Sequence, residues 1–229
     1  MGENGAEGNK VKVDRKDMKK GLYLLIATSL CFGACNLMEE KTDSTAKVER
    51  VKMHQTFKGI EIDGVADSMV VALEEKGYQH AKLRMVDGKY MLKGKFAGYD
   101  DCTILLHHTF EEKIVYEVMV GLPKRESWID LKQDYEQLKV RLDDKYGKPK
   151  QCEEKFYAEK NIVDDEMRFW EVKNGKCKYY AIYDTPHGEV KLEIGHTERI
   201  GLSDICWVTI SYRDDENYAR YRAESDNDL

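Results

Sequence analysis

The run from Gly21 to Ala34 carries no charge, and no later stretch of the chain matches it in apolar length. At about 14 residues it falls short of the ~20 that a helix needs to cross a hydrocarbon core. Lys19 and Lys20 precede it, and Gly33 and Ala34 close it ahead of Cys35. That order of charged, apolar and small residues is the layout of a secretory signal. Residues 18–34 therefore read as an address, and the fold must be built from the residues C-terminal to it. Residues 1–17 read as an upstream start extension. The opening Met-Gly does not make a myristoylation motif, because Ala6 stands where that motif wants Ser or Thr.

Phe32-Gly33-Ala34-Cys35 resembles a bacterial lipobox, with Phe32 in the place where Leu, Val or Ile is usual. The resemblance implies cleavage before Cys35 and acylation of its new amino terminus. Two or three acyl chains hold a protein to a membrane stably, each buried methylene contributing about 0.8 kcal/mol. The expected location is the cell envelope, anchored by lipid to the outer membrane and facing either the periplasm or the outside. Residues 35–53 are polar, mixed in charge and without aromatics, the composition of a flexible tether. Within the tether, Asp43-Ser44-Thr45 resembles a Bacteroidota-type O-glycosylation acceptor, which makes Ser44 a candidate.

Residues 1–34 hold six basic and four acidic side chains, so removing this +2 segment from a chain of −6 leaves −8. Phosphate backbones are bound by clustered Lys and Arg, and an acidic chain of this kind is not expected to partner nucleic acid. Cys102, Cys152, Cys177 and Cys206 remain beyond the anchor. An exported chain can oxidise them, and four cysteines allow three pairings that spacing does not distinguish. They are 25 or more residues apart, unlike the close-set ligands of a zinc site, and no metal or other cofactor is expected.

Beyond the tether the pattern is helix followed by strands, twice. Phe57–Ile62 reads as a strand; Ala66, Met69, Val70 and Leu73 mark a helix that stops at Gly77. Ala81–Val86 and Lys89–Phe96 flank the turn dipeptide Asp87-Gly88, and Cys102–His108 and Ile114–Leu122 come next. A second helix starts at Ser127, with Leu131, Tyr135, Leu138 and Leu142 as its apolar stripe and Gly147 beyond it. Met167–Lys173 and Lys176–Asp184 flank Asn174-Gly175 and read as a hairpin, succeeded by Glu189–Ile194 and Ile205–Tyr212. The expected class is α+β: two tandem units, 54–123 and 124–213, each a helix with a four-stranded antiparallel sheet, packed as one globular domain. Residues 214–229 are expected to form a C-terminal helix and tail.

This topology resembles the β-lactamase-inhibitor-like and BamE-like export folds. The segments "FKGIEIDG", "FAGYDDCTI", "LDDKYGKPKQCEEKF", "CKYYAIYD" and "DNDL" resemble a family of exported Bacteroidota lipoproteins and secreted proteins without an established activity. No catalytic residues follow from that likeness. Within the chain itself, His107 and His108 point to opposite faces of a strand, and the acidic clusters lack the alternating ligands of an EF-hand. Tyr179, Tyr180, Tyr183 and Trp207 are the candidate ligand-facing aromatics. The expected function is a lipid-anchored, non-enzymatic binding or structural module of the envelope, with a protein or glycan partner. The alternatives are a hydrolase of envelope glycans or peptides, built on scattered carboxylates, and an inhibitor of an envelope enzyme.

Overall fold

A Lys-Gly pair inside the first expected strand bends it back on itself. Lys58 and Gly59 both take positive φ, +54° and +74°, the mirror-image turn that joins tightly twisted strands. The result is a small hairpin, β1 (Thr56–Phe57) and β2 (Ile60–Glu61), in place of one strand. In this computed structural model, residues 54–81, 90–158, 160, 162–199 and 202–226 are described, all within the compact unit 49–229. The expected signal segment, Cys35, Ser44 and the expected Asp87-Gly88 turn lie outside the described residues.

Helix α1 (Ala66–Glu75) buries the expected stripe of Ala66, Met69, Val70 and Leu73. Strands β3 (Gln79–His80), β4 (Tyr90–Phe96), β5 (Tyr99–His108) and β6 (Val115–Gly121) follow. Helix α2 (Trp128–Tyr146) begins where the Ser127 hydroxyl accepts the Asp130 N–H at 3.1 Å and ends at Gly147. After it come β7 (Gln151–Phe156), α3 (Asp165–Lys173), β8 (Cys177–Thr185), β9 (Gly188–Arg199), β10 (Leu202–Asp214) and α4 (Asp215–Asp226).

Eight of the strands form a single antiparallel sheet in the order β3-β4-β5-β6-β10-β9-β8-β7. The last strand of each run meets the other at the centre, with Val120 opposite Ile210. The connection between the runs is bonded to the sheet: the Leu122 and Arg125 N–H groups donate to the carbonyls of Val208 and Cys206, each at 2.9 Å. Arg125 then grips the buried Asp134 of α2 with two hydrogen bonds, 2.7 and 3.2 Å. Helices α1, α2 and α3 cover one face, where Leu92, Ile104, Val120, Ile210, Leu192 and Ala181 form a buried row across the strands. Among the described residues no helix is long and apolar enough to cross a membrane.

Met167–Lys173 is helical, which corrects the expected hairpin strand. Asp164 accepts the Met167 N–H at 2.8 Å, two acids follow in the first turn, and Gly175 at φ +64° ends the element just after Asn174. Asn-Gly is as good a helix stop as a hairpin turn, because both need a residue tolerant of left-handed backbone. The strand that replaces it, β7, is polar and lies at the sheet's edge.

Candidate functional site

Alternation along each strand sends every second side chain away from the helices, and the register aligns these into rows. One row reads Lys93, Thr103, Gly121, Thr209, Glu193, Tyr180, Glu153 across seven strands. The next reads Met91, Leu105, Met119, Ser211, Lys191, Ile182, Gln151. At the centre of this open face the residues are small, hydroxylated or apolar, and charges appear toward its margins. Gly121 is required here because the Trp207 ring occupies its side-chain space: a Cβ built on it would lie 2.6 Å from the indole. Trp207 is thereby laid against the sheet, half-buried, with an exposed margin.

A third row bears charge. His107, Glu117, Arg213 and Glu189 stand side by side on β5, β6, β10 and β9. Arg213 binds Glu189 at 3.0 Å and lies 4.4 Å from the centre of the Tyr218 ring on α4; His107 is 3.8 Å from Glu117. Tyr218 and Tyr221 pack on Tyr116 and close this end of the face. Burial pushes the Glu117 carboxyl above the ordinary carboxylate range, Glu189 adds to it, and the Ser211 hydroxyl, Arg213 and Lys191 oppose it. A carboxyl raised in the fold stabilises below its unfolded pKa, and that contribution is lost as pH rises through the folded value. Glu117→Gln is therefore expected to raise the melting temperature at neutral pH, with the gain vanishing toward about pH 4. A gain that does not change with pH, or a loss at neutral pH, contradicts this electrostatic account.

The four candidate aromatics divide by parity. Tyr180 and Trp207 lie on the open face. Tyr183 is fully buried beneath α2, its hydroxyl donating to Asp143 at 2.8 Å, so the expectation that it faces a ligand is corrected. Tyr179 also turns toward the helices, edge-on to Trp128 and Tyr135, at the foot of a groove between α2 and α3. Tyr180 is held by Gln151 and Glu153, at 2.6 and 3.0 Å.

No disulfide joins Cys102, Cys152, Cys177 and Cys206. The sheet order explains why: Cys177 and Cys206 lie on β8 and β10, the strands that flank β9. Strands two apart are separated by about 10 Å, whereas a disulfide needs Cα atoms within about 7 Å. Cys102 and Cys206 are likewise separated by β6. Burial, with Cys206 nearby, pushes the Cys177 thiol up to about 11, and burial also raises Cys102 and Cys152, which favours the protonated thiol at all three positions near neutral pH. Among the described residues no group of three His, Cys, Asp or Glu side chains is placed to hold a metal ion.

Sequence patterning does not single out the charged row; the one signal for it is the opposite facing of His107 and His108. His108 indeed turns the other way, edge-on to Tyr90. No family model, curated protein or solved structure matches the chain.

Proposed function

We propose that this chain is a lipid-anchored, non-enzymatic binding module of the cell envelope, held at Cys35 and lifted by the 35–53 tether, with the open sheet face as its contact surface for a protein or glycan partner. The observation that carries the reading is the distribution of residues on that face: the partly exposed Met119, Ser211 and Trp207 ring at the centre beside the buried Thr103, Gly121 and Thr209, with charges around them. Contact surfaces are depleted of charge at their core, enriched in aromatics, and polar at the rim. A hydrolase is less well supported. Glu117 and Glu189 are the carboxylates nearest such a role, and Arg213 sits between them on an open surface.

The strand order supports a further part of the proposal, that the two halves are repeats: each run of four strands follows one long helix, and the two runs mirror each other about the β6–β10 pair.

The test is a photo-crosslinking residue at Ser211 in intact cells, compared with one at the exposed Val140 of α2. The expected result is a discrete adduct from position 211 that Trp207→Ala removes. Equal labelling from both positions, or an adduct indifferent to Trp207, sinks the assignment of the face. Anchoring is checked separately: Cys35→Ala is expected to abolish fatty-acid labelling and to leave the protein uncleaved or released. Labelling that persists in that variant rules out Cys35 as the acceptor.

A further inference from the structure

A second surface of different character lies where β1 and β2 meet the end of β4. Two tight turns stand at it, Lys58-Gly59 and Ala97-Gly98, all four residues at positive φ. The second is clamped by Arg141 of α2, which donates to the Ala97 carbonyl at 2.7 Å. They border a cavity of about 350 Å³. Its floor is aromatic: Phe57 and Phe96 are stacked at 6.0 Å, and Phe57 meets Tyr212 at 5.3 Å. Among the described residues its charged lining consists of Lys58 and Lys145, with no acidic side chain.

That charge balance sets it apart in an acidic protein. The groove between α2 and α3 has Lys132 and Arg168 offset by Glu136 and Asp165. Here, by contrast, the Lys58 ammonium lies over the Phe96 ring at 5.2 Å and Lys145 over Tyr146 at 4.7 Å, and neither forms an ion pair with a described carboxylate. Ring faces attract ammonium groups only modestly when exposed, whereas a charge-assisted hydrogen bond to an anion is the stronger partner. The volume falls in the range of small-molecule sites, which combine an apolar lining with a few placed polar groups. Tyr212 makes no hydrogen bond to another described residue, and its hydroxyl is left as a further donor.

We propose that this cavity is a binding site for a small carboxylate with a ring-sized apolar body, the ring seated against Phe57, Phe96 and Tyr212 and the carboxylate held between Lys58 and Lys145. The site belongs to the helix side of the sheet and does not depend on the contact role of the open face.

Isothermal titration of the full chain with 2-naphthoate, beside its neutral counterpart 2-naphthamide, tests this. The expected result is saturable binding of 2-naphthoate at one per chain, and binding weaker by about tenfold or more both for the amide and for Lys58→Gln/Lys145→Gln. Neither lysine is paired with a described carboxylate, so an unchanged melting temperature in the double variant shows that its fold is intact. Absence of saturable 2-naphthoate binding, equal affinity for the amide, or unaltered affinity in a folded double variant overturns the proposal.

Discussion

Asp214→Ala is expected to lower the stability of the folded chain by about 3–5 kcal/mol, a large part of what a domain has to lose. The carboxylate is buried at 1% exposure and fully engaged. One oxygen accepts the Gln55 N–H at 2.9 Å and faces Nδ1 of His54 at 3.1 Å; the other accepts the Asn217 N–H at 2.9 Å and so caps α4. His54 turns its other ring nitrogen to Asp63 at 3.2 Å, and the Asn217 amide donates to the carbonyls of Ile62 and Val115. Alanine would leave an imidazole and two backbone donors without acceptors in a site water does not reach, and each such group costs about 1–3 kcal/mol. Asp214→Asn keeps one acceptor oxygen and should lose less. Urea denaturation with a common slope measures both; a loss below about 1 kcal/mol for alanine would mean that solvent already shares the knot.

Leu138→Asp is expected to do more and to abolish cooperative folding of the whole sheet. Leu138 lies on the inner stripe of α2 at 2% exposure. A carboxylate there has no partner and belongs to the small class of substitutions that cost more than about 4 kcal/mol. The loss should reach both runs of strands, because β6 and β10 share a ladder and the 122–125 connection is bonded to β10. Wild-type protein should melt in one transition by far-ultraviolet and near-ultraviolet dichroism alike. Two separated transitions, with the mutation deleting only the later one, would show that the halves fold independently.

Much of this architecture can be read directly from residue order. Glu189, Lys191 and Glu193 alternate with Val190, Leu192 and Ile194, and the latter three are buried on the helix side. Ser127 and Gly147 bracket α2 as expected. The failures share one physical cause, local signals that serve two structures. Met167–Lys173 is a short segment whose alternation satisfies a strand and whose Asp164 cap satisfies a helix, and packing of Val172 into the core decides for the helix. Gln151–Phe156 has little apolar pattern because an edge strand buries little. Within the site, Tyr179, Tyr180 and Tyr183 are visible in the sequence as a cluster, but their division between faces depends on which neighbours are buried: Ala181 is fully enclosed, so Tyr179 and Tyr183 share its side and Tyr180 does not. The cavity under the two turns joins residues 57, 96, 145 and 212, a separation across which local patterning carries no information.

A bare strand edge presents unpaired amides and carbonyls that invite another chain to add itself. On the outermost strand, β7, that edge carries Glu153, Glu154 and Lys155 in succession, with Glu154 tied back to Lys139 of α2 and Glu153 to Lys155. A neighbouring copy approaching in register would set like charges against like and would have to break these pairs before its backbone could dock. The charged rim of β7 thus opposes the edge-to-edge pairing through which crowded copies of a sheet protein would polymerise.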